Sequence, residues 1–104
     1  MESPAYIFVV SKLGHGYSIE KQSQGQTQGP WEHPNFASAM YHLLGLYEVE
    51  HMQGRRDGEL IMKGLDNMDR LAIRKMHMIM QGMGELEKKL DLPVVTDPTP
   101  TMRL

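Results

Sequence analysis

The five histidines are the residues of this chain that are best suited to acid–base or metal chemistry. None of them forms an HxxxH or HExxH pair, the helical spacings that place two metal ligands side by side. Glu48 and His51 have the spacing found in carboxylate-bridged di-metal bundles, but such a bundle needs a second pair. His77 cannot supply it, because Arg74 stands at the corresponding position before it. The sequence therefore predicts no metal site and no cofactor.

Nucleophilic catalysis has equally little support in the sequence. The chain has no cysteine and no GxSxG motif, and Ser38 is the only serine inside a predicted helix. His42 follows Ser38 by one helical turn, a spacing that amphipathic patterning explains. The GHG segment at residues 14–16 lacks the Gly-Lys-Ser/Thr ending of a phosphate-binding loop. We therefore expect no catalytic residues and no enzymatic activity.

Length and composition are those of an ordinary globular domain. The chain has 104 residues, 40% of them hydrophobic and 23% charged, which suits one domain with a modest core. A formal net charge of −2 provides no overall field that would attract nucleic acid or an anionic membrane. The absence of cysteine excludes a disulfide framework and fits a reducing compartment. The N-terminus lacks the basic and long apolar segments of a signal peptide, so we expect a soluble, cytoplasmic protein.

The N-terminal part of the sequence predicts a β-hairpin over residues 5–22. Its first strand contains YIFVV, an aromatic and β-branched segment whose two faces are both apolar and call for cover on both sides. Two glycines then suit a short turn, and the next residues alternate between apolar and polar. Residues 23–33 are predicted to form a polar loop. Glutamines at every second position leave open the alternative of a polar edge strand there.

Two helices are predicted in the second half of the chain. The first spans residues 35–53, with Asn35 as its N-cap. The second spans residues 58–91, and its apolar residues follow a spacing close to a coiled-coil heptad, although Gly64 leaves open a break into two helices. Residues 92–104 are rich in proline and are predicted to form an extended tail that either docks as an edge strand or stays free.

Together these elements predict an α+β fold of order β-β-α-α. Residues 1–91 form a single small domain in this prediction, with the hairpin packed across the first helix. The long second helix supplies part of the core. Some of its apolar surface is expected to stay exposed, because its apolar face is longer than the first helix can cover.

The methionine-rich face of the second helix is the main functional feature that the sequence offers. Methionine fills irregular gaps in a core, but flexible methionine-rich faces also suit self-association and partner binding. Thioether metal binding is disfavoured, because the helical spacing explains where these residues fall. We expect the protein to form a homo-oligomer, most simply a dimer, and to act by binding itself or another protein. We expect no contact with a membrane. The predicted interface residues are Ile61, Leu65, Met68, Met76, Ile79, Met80, Met83 and Leu86.

A nucleic-acid-associated or regulatory role is the alternative. Basic residues at the turn between the predicted helices and on the second helix could contact phosphates, although neighbouring aspartates offset their charge. These residues are Arg55, Arg56, Arg70, Arg74 and Lys75. The general organisation, a hairpin followed by PWEHPNF and two helices, resembles that of small accessory proteins encoded by phages and mobile elements. That resemblance is compatible with either role.

Overall fold

A four-stranded mixed sheet with both helices packed on one face forms the fold. The computed structural model describes residues 3–90, with side-chain positions up to Gly82. Along the chain the elements are β1 Tyr6–Leu13, β2 Gly16–Ser23, β3 Gln26–His33, α1 Phe36–Met52, β4 Gly58–Lys63 and α2 Asn67–Leu90. The strand order is β3-β2-β1-β4, with β1 antiparallel to β2 and parallel to β4. The α+β class is confirmed, while the β-β-α-α order is wrong, because the described order is β-β-β-α-β-α.

The predicted hairpin is present and forms the centre of the sheet. Strand β1 pairs with β2 from Tyr6 opposite Ser23 to Leu13 opposite Gly16, so the turn holds only two residues. Its first residue, Gly14, has a φ of +56°, a left-handed conformation that favours glycine. Tyr6, Phe8 and Val10 all point to one face, and each is at most 1% exposed.

The predicted polar loop at residues 23–33 is instead a third strand. Residues Gln26–His33 pair with β2 in antiparallel register, with an irregularity between Ile19 and Lys21 where β3 has an extra residue. Most of the strand is exposed, so its glutamines need no apolar partner. Gln28 pairs with Lys21 and Gln26 with Ser23, so the two-residue spacing places both glutamines of β3 on one face of the sheet.

Helix α1 follows the prediction closely. It spans Phe36–Met52, and the side chain of Asn35 accepts a hydrogen bond from the backbone N–H of Ser38 at 2.8 Å, as an N-cap does. Ala39, Leu43 and Tyr47 are buried at one-turn intervals and turn the helix toward the sheet.

The second predicted helix, over residues 58–91, is divided into a strand and a shorter helix. Residues Gly58–Lys63 form β4, whose alternation of half-buried and exposed positions follows the period of a strand. Gly64 then takes a φ of +70° and ends the strand. Asp66 accepts a hydrogen bond from the N–H of Asp69 at 2.8 Å, which caps the first turn of α2. No coiled coil is supported, and residues 92–104 lie outside the described residues.

Both helices run in the same direction across the sheet. Near their starts, Phe36 of α1 and Asp69 of α2 both contact Tyr17, by a ring contact at 5.5 Å and a 2.7 Å hydrogen bond respectively. Near the far end of the sheet, Gln81 of α2 donates to the hydroxyl of Tyr6 at 2.8 Å and accepts from the N–H of Gly58 at 3.1 Å. The opposite face of the sheet carries neither helix.

Tyr47 stands at the centre of the core. Its ring makes edge contacts with Phe8 at 4.8 Å and Tyr6 at 6.1 Å, and none of its side chain is exposed. Its hydroxyl lies 2.6 Å from Nδ1 of His77, which ties α1 to α2. Burial lowers the pKa of His77 and raises that of Tyr47, so both groups are neutral at neutral pH, and the imidazole with its proton on Nε2 accepts a hydrogen bond from the Tyr47 hydroxyl. None of the helices in residues 3–90 is long and apolar enough to cross a membrane.

A pair of glycine substitutions tests this packing. In Gly58→Ala the new Cβ would overlap the buried ring of Tyr6, so we expect a loss of about 1–3 kcal/mol in the free energy of unfolding. In Gly45→Ala the Cβ meets nothing within 4 Å in the middle of α1, so we expect a gain of about 0.5–1 kcal/mol. Urea unfolding of both variants measures the two changes. Equal effects of the two substitutions would contradict the close approach of β4 to Tyr6.

Candidate functional site

Helix α2 is apolar on its solvent-facing side as well as on its core side. On the core side, Ile73 is fully buried and Met80 is 7% exposed. On the outer side, large apolar residues recur at positions that helical periodicity places together. These are Met68 at 77%, Leu71 at 56%, Met78 at 65% and Ile79 at 62% exposure. We call these four residues the outer stripe.

The structure distributes the predicted interface residues over three environments. Leu65 and Met80 belong to the chain's own core, and Met76 is half-buried against it. Ile61 is 40% exposed and lies on β4, facing away from the helices. Met68 and Ile79 remain exposed on α2, while the side chains of Met83 and Leu86 lie outside the described residues.

Sequence reasoning missed Ile73, Leu71 and Met78, because it chose one of two apolar faces. Ile73 stands seven residues before Met80, which is one of the predicted interface residues, so a heptad spacing that includes Ile73 was already visible in the sequence. Periodicity alone does not decide which of two apolar faces meets the sheet.

The basic residues of the alternative role lie in two separate places. Arg55 lies in the α1–β4 connection and its guanidinium is held by Glu50, with Nε 2.6 Å from the carboxylate. Arg56 follows it in the same connection and is half-buried. Arg70 lies near the start of α2, at the other end of the helical layer, and Arg74 and Lys75 are exposed in the middle of the helix. The nucleic-acid role stays a prediction, to be tested by salt-dependent DNA binding.

A buried ion network joins the end of α1 to the sheet. The side chain of Glu50 is fully buried and lies 2.6 Å from Nζ of Lys21. Two further donors reach the same carboxylate: Arg55, through Nε at 2.6 Å and Nη2 at 3.2 Å, and Ser23, through Oγ at 3.1 Å. A cavity of about 380 Å³ adjoins this network, and its lining includes three glutamines of the β2–β3 hairpin.

The cations around Glu50 keep it ionised. Burial acts to raise the pKa of this carboxyl group, but the hydrogen bonds from Arg55 and Lys21 outweigh burial and hold its pKa below the ordinary value. The network connects β2, α1 and the α1–β4 connection, so its role is to hold three elements together. Lys21 and Ser23 are distant from Glu50 in sequence, so no local pattern predicts that β2 joins this network.

A second polar cluster lies where β3 meets the first turns of α1. Nδ1 of His33 is 2.7 Å from Oγ of Ser38, and Nε2 of the same ring is 2.8 Å from Nδ1 of His42. The indole of Trp31 contacts the His42 ring at 4.8 Å. The sequence pairs Ser38 with His42 by helical spacing, but in the structure His33 stands between them. That arrangement arises because Pro34 and Asn35 turn the chain from β3 directly into α1.

A largely apolar cavity of about 500 Å³ borders this cluster. Beside Ser38 and the two imidazoles it is lined by Tyr41, Gly45, Leu46 and Val49 of α1. Within the described residues, no group of three or more histidines, aspartates and glutamates is arranged to hold a metal ion. The cluster therefore combines a hydroxyl, two imidazoles and an apolar recess.

The pH dependence of stability tests the Glu50 network. We expect Glu50→Gln to lower the free energy of unfolding at pH 7 by about 1–3 kcal/mol, because Lys21 and Arg55 lose their anion. The ordinary glutamate pKa is 4.5, and the folded-state pKa lies below it. The ion pairs therefore stabilise the fold above that value, and their contribution is lost as the pH falls through the folded-state pKa. Urea unfolding should show the difference between wild type and variant shrinking on acidification.

Glu48→Gln is the matched control for this prediction. Glu48 is exposed on the same helix, and the substitution removes the same charge, so we expect little change at any pH. A Glu50→Gln effect that stays constant between neutral and acidic pH would show that the ion pairs do not stabilise the fold.

Comparison of the chain with protein-family models, with curated proteins and with solved structures gave no match. Function is therefore inferred from the geometry of the described residues.

Proposed function

We propose that the protein is a homodimeric protein-interaction module that associates with a second copy of itself through the outer stripe of α2. One observation carries this proposal: four large apolar side chains on one helix, each more than half exposed. Several exposed apolar residues on one face of a helix are typical of interaction surfaces, whereas single exposed apolar residues are ordinary.

The outer stripe has no role in the chain's own core. Ile73, Met76 and Met80 supply the apolar contacts of α2 with the rest of the domain. Because the stripe residues are more than half exposed, much of their apolar surface is still in contact with water in the monomer, and burying it would stabilise a dimer by a few tenths to about 2 kcal/mol per residue. Met68 and Met78 also add a flexible surface that can adapt to a partner.

The order of residues along the stripe favours a second copy as the partner. Lys75 interrupts the apolar residues near the middle of the stripe. In an antiparallel pair of α2 helices with Met68 opposite Ile79 of the second copy, Lys75 falls beside Ala72 and Leu71 of that copy. Its aliphatic stem can then cover apolar surface while the ammonium reaches solvent, and the two Lys75 charges do not meet.

The size of the stripe limits the expected affinity. From Met68 to Ile79 it extends for about 17 Å at 1.5 Å per residue. Stable interfaces bury about 800 Å² on each partner, more than such a stripe offers without flanking contacts. We therefore expect a reversible dimer with a dissociation constant in the micromolar range or weaker.

The lack of cysteine supports a cytoplasmic setting for this association.

Charge substitutions in the outer stripe test the dimer. Leu71→Glu and Ile79→Glu should each yield a monomer of 11.9 kDa at concentrations where the wild type is a dimer, because two carboxylates would be buried per interface. Sedimentation velocity over about a hundredfold range of protein concentration measures this, since a reversible dimer responds to mass action. Thermal unfolding of the variants at low concentration should match that of the wild type, because both side chains are exposed in the monomer.

Tyr41→Glu is the matched control. Tyr41 is 83% exposed on α1, so the substitution makes the same change on an apolar residue outside the stripe. The control should dimerise as the wild type does. A wild type that stays monomeric at every concentration, or a Tyr41→Glu variant that dissociates as readily as Ile79→Glu, would contradict the proposal.

A further inference from the structure

The contact between Ser38, His33 and His42 has the geometry of an activated nucleophile. A serine hydroxyl becomes reactive when a neighbouring imidazole accepts its proton and a third group orients that imidazole. Here the hydroxyl and the first imidazole lie 2.7 Å apart, and the two imidazoles lie 2.8 Å apart, both within hydrogen-bond reach. We propose that Ser38 is a nucleophile for the hydrolysis of esters with a small apolar acyl group, with His33 as its general base.

Two arrangements of protons satisfy both contacts, and the proposed reaction requires the one in which the Ser38 hydroxyl is the donor. The Ser38 hydroxyl donates to Nδ1 of His33, so that ring carries its proton on Nε2 and donates it to Nδ1 of His42. His42 must then be neutral with its own proton on Nε2. Burial, and after it the neighbouring His33, lower the pKa of His42, which keeps it neutral at neutral pH. His42 is thus a positioning residue that fixes the tautomer of His33.

The apolar cavity beside the hydroxyl defines the class of substrate. Ser38, His33 and His42 lie on its wall, and Tyr41, Leu46 and Val49 supply apolar contacts for an acyl group. The cavity of about 500 Å³ falls within the usual range for small-molecule sites. Ser38 is also in the first turn of α1, where the helix dipole favours negative charge such as that of a tetrahedral adduct.

The proposed reaction is an ester hydrolysis in two steps. Oγ of Ser38 bonds to the acyl carbon as its proton moves to Nδ1 of His33. The bond from that carbon to the leaving oxygen breaks, and the leaving oxygen takes the proton from His33. Water then attacks the acyl-serine and gives a proton to His33, which returns it to Oγ as the acyl bond breaks. An ester and water thus become an acid and an alcohol, with no change of oxidation state.

This inference goes beyond the proposed dimer and departs from the sequence prediction that the chain is not an enzyme. The two rest on different helices, because the outer stripe lies on α2 and the nucleophile on α1. A measurement of oligomeric state tests the dimer, and covalent labelling tests the nucleophile, so either proposal can fail without the other.

An alkyl fluorophosphonate is the probe, because it bonds to activated serine hydroxyls. We expect one adduct per chain, located at Ser38 by mass spectrometry of the intact protein and its peptides. Ser38→Ala should abolish the adduct, whereas Ser11→Ala, on the face of the sheet away from the helices, should leave it unchanged. Absence of an adduct, or adducts spread over several serines, would overturn the proposal.

Variants of the two histidines separate catalysis from structure. His33→Asn removes the base and should slow labelling of Ser38 and hydrolysis of p-nitrophenyl butyrate by about 100-fold. His33→Gln is the second variant, and circular dichroism confirms that each is folded. His15→Asn, in the exposed β1–β2 turn, is the control and should react as the wild type does. Labelling of Ser38 at the wild-type rate in both folded His33 variants would show that His33 is not the base.

His42 is tested by rescue. His42→Leu should slow labelling, because His33 loses the acceptor that fixes its tautomer. His42→Asn places an amide oxygen near the former Nδ1 position and should restore most of the rate. A rate equally low in both variants, with both folded, would assign His42 a packing role and overturn its place in the proposal.

Discussion

The parallel pairing of β4 with β1 is the constraint on which the rest of the structure depends. Because β4 runs parallel to β1 at the edge of the sheet opposite β3, no tight turn can lead into it, and α1 carries the chain from the end of β3 back across the sheet to the start of β4. Helix α2 then returns on the same face of the sheet, beside α1. Because the sheet is already paired and the core already filled, the outer side of α2 remains in contact with solvent. The apolar residues on that side are therefore available to a second molecule.

The two polar clusters occupy opposite ends of α1 and differ in their surroundings. Glu50, near the end of the helix, is fully buried and surrounded by donors, so its charge is balanced and its geometry fixed. Ser38 and His42, near the start of the helix, are half-buried and border an open apolar recess. A fully satisfied buried network suits a structural role, whereas accessible groups beside a recess suit chemistry. This difference is why the structural role is assigned to the first cluster and the reactive role to the second.

Local patterns in the sequence predicted the hairpin and α1 correctly, but they did not predict β3 or β4. The Asn35 cap predicted the start of α1, because the capping contact spans only three residues. By contrast, the apolar residues of segment 58–63 have a spacing that fits a helix or a strand, because the segment is so short. The segment forms a strand because it pairs with β1. The glutamines of β3 recur at every second position, as expected in a strand. A polar edge strand, however, has little apolar patterning that would distinguish it from a loop.

The sequence by itself determined the α+β class, the central hairpin, the position of α1 and the surplus of apolar residues in the last helix. Each of these follows from residue types and periods within a few neighbouring positions. Only the tertiary structure decided which side of α2 meets the sheet, and only it placed His33 between Ser38 and His42 and Lys21 against Glu50. The physical reason is that these contacts join residues on different elements. Their distances depend on strand register and helix rotation, which the packing of the whole core sets.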